Sequence, residues 1–159
     1  MGNMKRKSEK NIIAIILVMV VITSIIVGSV IYNYIKKHNI YSNIIESSWG
    51  IELSKNYDEL YATDSGESFL GDGQRYHVFK FKDTEDLNID KRLSLKNDKD
   101  EILEANIEEI LKNLSVAKEN YPDFNKEYSY YFKTEEDSSK LYMVNFKDSN
   151  TLYVVEDIY

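Results

Sequence analysis

Residues 98–114 read DKDEILEANIEEILKNL and residues 127–157 read EYSYYFKTEEDSSKLYMVNFKDSNTLYVVED; the change of period between them decides the fold. In the first stretch Ile102, Leu103, Ile107, Ile110, Leu111 and Leu114 recur at helical spacing and make one apolar stripe. Asp98 with Glu101 has the capping-box pattern, in which the first side chain accepts from an orphan backbone amide and the second reaches back, so the helix is predicted to start there. It must end before Tyr121-Pro122, because the residue before a proline resists the helical region. The second stretch holds three runs dense in Tyr, Phe, Val and Leu: Glu127–Thr134, Leu141–Lys147 and Thr151–Asp157. The short polar turns EEDSS and DSN part them, as in an antiparallel meander.

Upstream of the helix, Asp64–Gly73 (DSGESFLGDG) reads as a loop closed by a tight Asp72-Gly73 turn. A strand over Arg75–Lys82 follows, with His77, Phe79 and Phe81 on one side and Tyr76, Val78 and Lys80 on the other. Asn56–Thr63 fits a helix or a strand, Ile51–Leu53 a short strand, and Asp83–Asn97 a polar loop. The sum is an α+β domain over residues 49–159, two layers deep, with one main helix packed on an antiparallel sheet of four or five strands. The chain has no cysteine, so that domain relies on its core alone. The 13 tyrosines suit this, each offering a large apolar body and a hydroxyl that stays wet.

At the other end, residues 12–32 read IIAIILVMVVITSIIVGSVIY, without a charge. A bilayer core of about 30 Å needs about 20 apolar residues in a helix. A transmembrane helix is therefore predicted over 12–34, after a basic N-terminus (1–11) and before a juxtamembrane helix or linker (35–48). The apolar stretch exceeds the 7–15 residues usual in a cleavable signal peptide, and its best cleavage position, after Ser29, lies inside it. A lipoprotein anchor would require a cysteine, and the Met1-Gly2 start fails as a myristoylation signal because position 6 is Arg. Lys5, Arg6, Lys7 and Lys10 precede the segment and only Lys36 and Lys37 follow it closely. The positive-inside rule then predicts a single-pass protein of the cell membrane, N-terminus cytoplasmic and acidic domain extracytoplasmic. Ser24 and Gly28 form a small-xxx-small pair through which two such helices pack, so a homodimer is open to the chain.

All but one of the 27 acidic residues lie beyond residue 40, in a chain of net charge −7. That disfavours nucleic acid and anionic lipid headgroups as partners of the domain, and suits either plain solubility or a cationic partner. Motifs that look chemical fail on inspection. Gly66–Gly71 (GESFLG) is one residue too long for a nucleophile elbow, and a strand follows it instead of a helix. Two distant histidines, His38 and His77, cannot build a zinc site, and Gly71-x-Gly73 lacks the rest of a dinucleotide fingerprint. Asp64, Glu67 and Asp72 offer oxygens without the EF-hand spacing. No catalytic, cofactor or metal residue is assigned. Phe69 and Leu70, two apolar residues at the tip of a glycine-rich loop, are the candidate partner contact.

The stretch WGIEL (49–53), the loop DSGESFLGDGQRYHVFKF (64–81) and TLYVVE (151–156) resemble a group of small proteins from Gram-positive bacteria. These join one membrane anchor, or a lipid-anchored start, to a short acidic α+β domain. The resemblance implies that architecture and carries over no functional residue. The expectation is a tethered, non-catalytic domain that binds a protein or cell-wall component. Two other readings stay open, an accessory subunit of a membrane complex and a hydrolase built on carboxylates in a cleft.

Overall fold

Ile15–Tyr32 forms a helix, α1, of mean hydropathy 2.8 in which no residue is buried. Burying one Ile or Val side chain is worth about 1.5–3 kcal/mol, so a helix apolar on every side is far from its minimum in water. It is long and apolar enough to cross a membrane. Its hydroxyls are satisfied within the helix: Thr23 donates to the Met19 and Val20 carbonyls, Ser24 to Val20 and Ser29 to Ile26. Such back-bonding makes them tolerable in hydrocarbon.

The computed structural model describes residues 15–32, 41–66, 72–83 and 93–159. The chain divides into two compact units, Met1–Glu52 and Leu53–Tyr159. In the first, a second helix, α2 (Tyr41–Trp49), follows α1 and buries Tyr41, Ser42, Ile45 and Trp49.

The second unit is a five-stranded sheet with one long helix. In chain order it runs β1 (Tyr57–Asp64), β2 (Gly73–Phe81), α3 (Glu101–Asn113), β3 (Ser129–Thr134), β4 (Lys140–Phe146) and β5 (Thr151–Ile158). The sheet order is β1-β2-β5-β4-β3 and every pairing is antiparallel. The α+β expectation of one helix on such a sheet therefore holds. The ambiguous stretch at Asn56 is strand β1, with a bulge between Glu59 and Tyr61 that leaves Leu60 exposed. Ile51–Leu53 is irregular, although Ile51 and Leu53 are buried.

Leu103, Ile107, Ile110 and Leu111 of α3 join Tyr76, Val78, Tyr142, Val144 and Val155 in one core cluster. The alternate residues of the strands, Phe79, Phe81, Leu141, Met143, Leu152 and Val154, are also almost wholly buried. Both sides of the sheet are thus shielded from water. Continuous apolar runs such as LYMV in β4 are what that demands.

The start of α3 corrects the predicted cap. Asp100, in an extended conformation, is the N-cap, and its Oδ1 accepts from the Leu103 amide at 3.0 Å. Asp98 lies two residues too early because tertiary contacts select Asp100: Tyr130 donates to its Oδ2 at 3.0 Å, and its own amide donates to the Tyr128 hydroxyl at 3.1 Å. The Leu103 amide and then the Tyr130 hydroxyl hold the Asp100 carboxyl below the usual carboxylate range. Asp100→Ala is expected to cost about 1–2 kcal/mol in thermal or urea unfolding at pH 7. The folded-state pKa is depressed, so this contribution is complete above the unfolded value of about 3.9 and vanishes as pH falls through the folded one. The variant should accordingly lose less stability than the parent below pH 4. The far end of α3 stops at Leu114, where Ser115 turns left-handed at φ 55° and the Val116 amide bonds back to the Leu111 carbonyl. The stop is well short of Pro122.

Candidate functional site

A cavity of about 470 Å³ opens where β3 begins and β4 ends. Small-ligand sites fall in the range of about 300–1,000 Å³. Three segments wall it: Asn97–Lys99 ahead of α3, Asn125–Ser129 leading into β3, and Asn145–Asp148 at the close of β4.

Each wall is pinned by local chemistry. Lys96 exchanges two backbone hydrogen bonds with Tyr130, fixing the segment before α3 along the outer edge of β3. Asp123 closes an Asx turn by accepting from the Asn125 amide at 3.2 Å and its Nδ2 at 3.1 Å, and those bonds hold the Asp123 carboxyl below its ordinary range. Phe124 and Tyr128 bury their rings edge to face at 5.5 Å, seating the loop between them. The Tyr128 hydroxyl donates to Glu104 of α3 at 2.6 Å. Burial first, and then that carboxylate, push the Tyr128 phenol up to about 12. A single-turn helix at Lys147–Ser149, closed by left-handed Asn150, ends the third wall.

Ser129 and Asn145 are cross-strand partners in the β3–β4 ladder, and both line the cavity. Asn145 is 1 % exposed and Ser129 2 %. Neither the Asn145 carboxamide oxygen and nitrogen nor the Ser129 hydroxyl has a hydrogen-bond partner among the described residues. An unmade bond to a buried group costs about 1–3 kcal/mol, and the great majority of buried polar atoms avoid it. Around this pair stand Lys99, Lys126 and Lys147 with the carboxylates of Glu127 and Asp148. Lys126 pairs with Asp123 at 3.6 Å, whereas exposed Lys99 makes no ion pair among the described residues. The cavity wall offers lysine ammonium groups and carboxylates, while the Asn145 and Ser129 polar atoms themselves have almost no exposed surface.

None of the residues singled out from the sequence lies here. Phe69 and Leu70, with Glu67 of the acidic loop, fall outside the described residues. Asp64 accepts from the Gly66 amide at 2.8 Å in a turn of its own, and no group of three or more potential metal ligands occurs among the described residues. His77 is partly buried and hydrogen-bonds Glu59 at 2.7 Å across the β1–β2 pair. Ser24 and Gly28 sit one turn apart on exposed α1, and a side chain added at Gly28 would meet nothing. The missed pair carried one faint signal, an asparagine inside the apolar run LYMVNF. No protein-family model, curated protein or solved structure matches the chain.

Proposed function

We propose that this chain is a single-pass membrane protein whose acidic domain, outside the cytoplasm, is a non-catalytic ligand-binding module. Helix α1 carries the reading: an 18-residue apolar helix with no buried residue has its free-energy minimum in a bilayer. The basic residues ahead of it favour a cytoplasmic N-terminus. The binding role is supported by the cavity at β3 and β4, whose most deeply buried polar groups are a carboxamide and a hydroxyl. At neutral pH such groups do not exchange protons as general acids or bases do.

The absence of cysteine makes topology directly measurable. Single replacements Asn3→Cys and Glu136→Cys, the latter in the exposed β3–β4 turn, are expected to differ when intact cells meet a membrane-impermeant maleimide. Glu136→Cys should label before lysis and Asn3→Cys only after it, with the chain staying in the pellet through alkaline carbonate extraction. The opposite labelling pattern would reverse the orientation, and release by carbonate would remove the anchor.

A further inference from the structure

We infer that the half-buried patch of Tyr61, Leu114, Tyr121 and Tyr153 is a docking surface for a partner protein segment that presents a lysine or arginine side chain. It goes beyond the reading above, since none of these residues lines the cavity at β3 and β4. The four are the partly buried rim of the core cluster that α3 shares with the sheet. Tyr61 comes from β1 and Tyr153 from β5, and the buried Tyr76 of β2 joins them: its ring lies 5.7 Å from Tyr61 and stacks with Tyr153 at 6.4 Å. Leu114 and Tyr121 come from the chain leaving α3, where Lys118–Asn120 makes one helical turn. The Tyr76 hydroxyl donates to the Asn120 carbonyl at 2.5 Å and so pins that chain to the sheet. The rings are therefore fixed before any partner arrives, and little ordering entropy is left to lose on binding.

The patch already holds one cation. The exposed Lys118 ammonium stands 4.0 Å from the centroid of the Tyr121 ring, and no carboxylate pairs with it among the described residues. That is inside the roughly 6 Å reach of a cation–π contact. The carboxylates nearby favour the same sign. Burial first, and then Glu108 of α3, hold the Tyr121 phenol above its ordinary range; burial and then Asp123 do so at Tyr153. Asp123 is paired with Lys126, but exposed Glu108 makes no ion pair among the described residues. A neutral sugar would stack on the rings and leave Glu108 unanswered, and an anion would be repelled. A lysine or arginine answers both features, laying its aliphatic stem on the tyrosines and Leu114 while its charged head stays at the wet rim. The incoming cation takes the place of Lys118 on Tyr121.

The test is an NMR titration of the full chain in non-ionic detergent micelles with two probes: acetyl-Gly-Lys-Gly-Lys-Gly-amide and the same peptide with norleucine in place of both lysines. The lysine peptide should bind and shift the Tyr121 ring signals, and the norleucine peptide should bind about fivefold or more weakly. Tyr121→Leu leaves the charge unchanged and should weaken the lysine peptide about two- to fivefold, with a dispersed amide spectrum showing that the fold is kept. Lys118→Gln, at an exposed position, should tighten it by removing the internal competitor. Equal binding of the two peptides would overturn the cationic partner. Unchanged affinity in folded Tyr121→Leu would reduce the contact to the general acidity of the domain and overturn the patch, as would weaker binding by Lys118→Gln. Silence from both peptides would overturn the inference, while the anchored topology would stand or fall on the labelling alone.

Discussion

Leu111→Ala is expected to lower the unfolding free energy of the sheet-and-helix unit by about 2–5 kcal/mol, the range for truncating a fully enclosed Leu. Leu111 is 0 % exposed on the face of α3 that joins the core cluster. Alanine is the better helix former, so the whole loss comes from transfer and from the cavity left behind. In a unit of this size that is a drop in melting temperature of roughly 10 °C or more. Ile102→Ala is the matched control. Ile102 is 76 % exposed, and its truncation should stay within about 0.5 kcal/mol of the parent. Equal losses at the two positions would mean that α3 presents a different face to the sheet.

That pair also marks where the sequence stops being legible. Counting apolar residues at spacings of three and four put Ile102 on the same stripe as Leu111, yet residues nine apart at about 100° each lie on opposite sides of a helix. The helix and the strands β2 to β5 were readable because each is specified by local periodicity. The cap was misplaced by two residues because Asp98 and Asp100 are both sound local caps, and Tyr128 and Tyr130, some 30 residues away, decide between them. Strand β1 was ambiguous for a related reason: its bulge at Glu59/Tyr61 breaks the alternation on which a strand is recognised. The candidate cavity was illegible for a stronger reason. Three segments far apart in sequence build it, and none carries a motif. Asn145 looks like a tolerated polar residue in a strand until the ladder sets it opposite Ser129 with nothing to bond.

The same pair supplies the most discriminating expectation on stability. Asn145→Leu should raise the unfolding free energy by about 1–3 kcal/mol, the cost of a buried polar group left without its bonds. Leucine keeps the branching of the side chain, and the adjoining cavity leaves room for its methyl groups. Asn145→Asp is the opposing case, nearly identical in shape but bringing a charge into a site where the native side chain is 1 % exposed. It should destabilise the domain by several kcal/mol at pH 7. Burial raises the folded-state pKa of such a carboxyl above its unfolded value, so the deficit should shrink as pH falls and the group protonates. Urea unfolding of the parent and both variants at pH 7 and pH 5 reads all of this at once. A lower midpoint for Asn145→Leu than for the parent would mean that the carboxamide is satisfied in solution, and that the fold bears no cost for keeping it. A higher midpoint would mean that the native sequence retains a destabilising residue deep in its sheet, which selection for packing alone would have removed. In the reading of the domain proposed above, its place beside the cavity is what keeps it there.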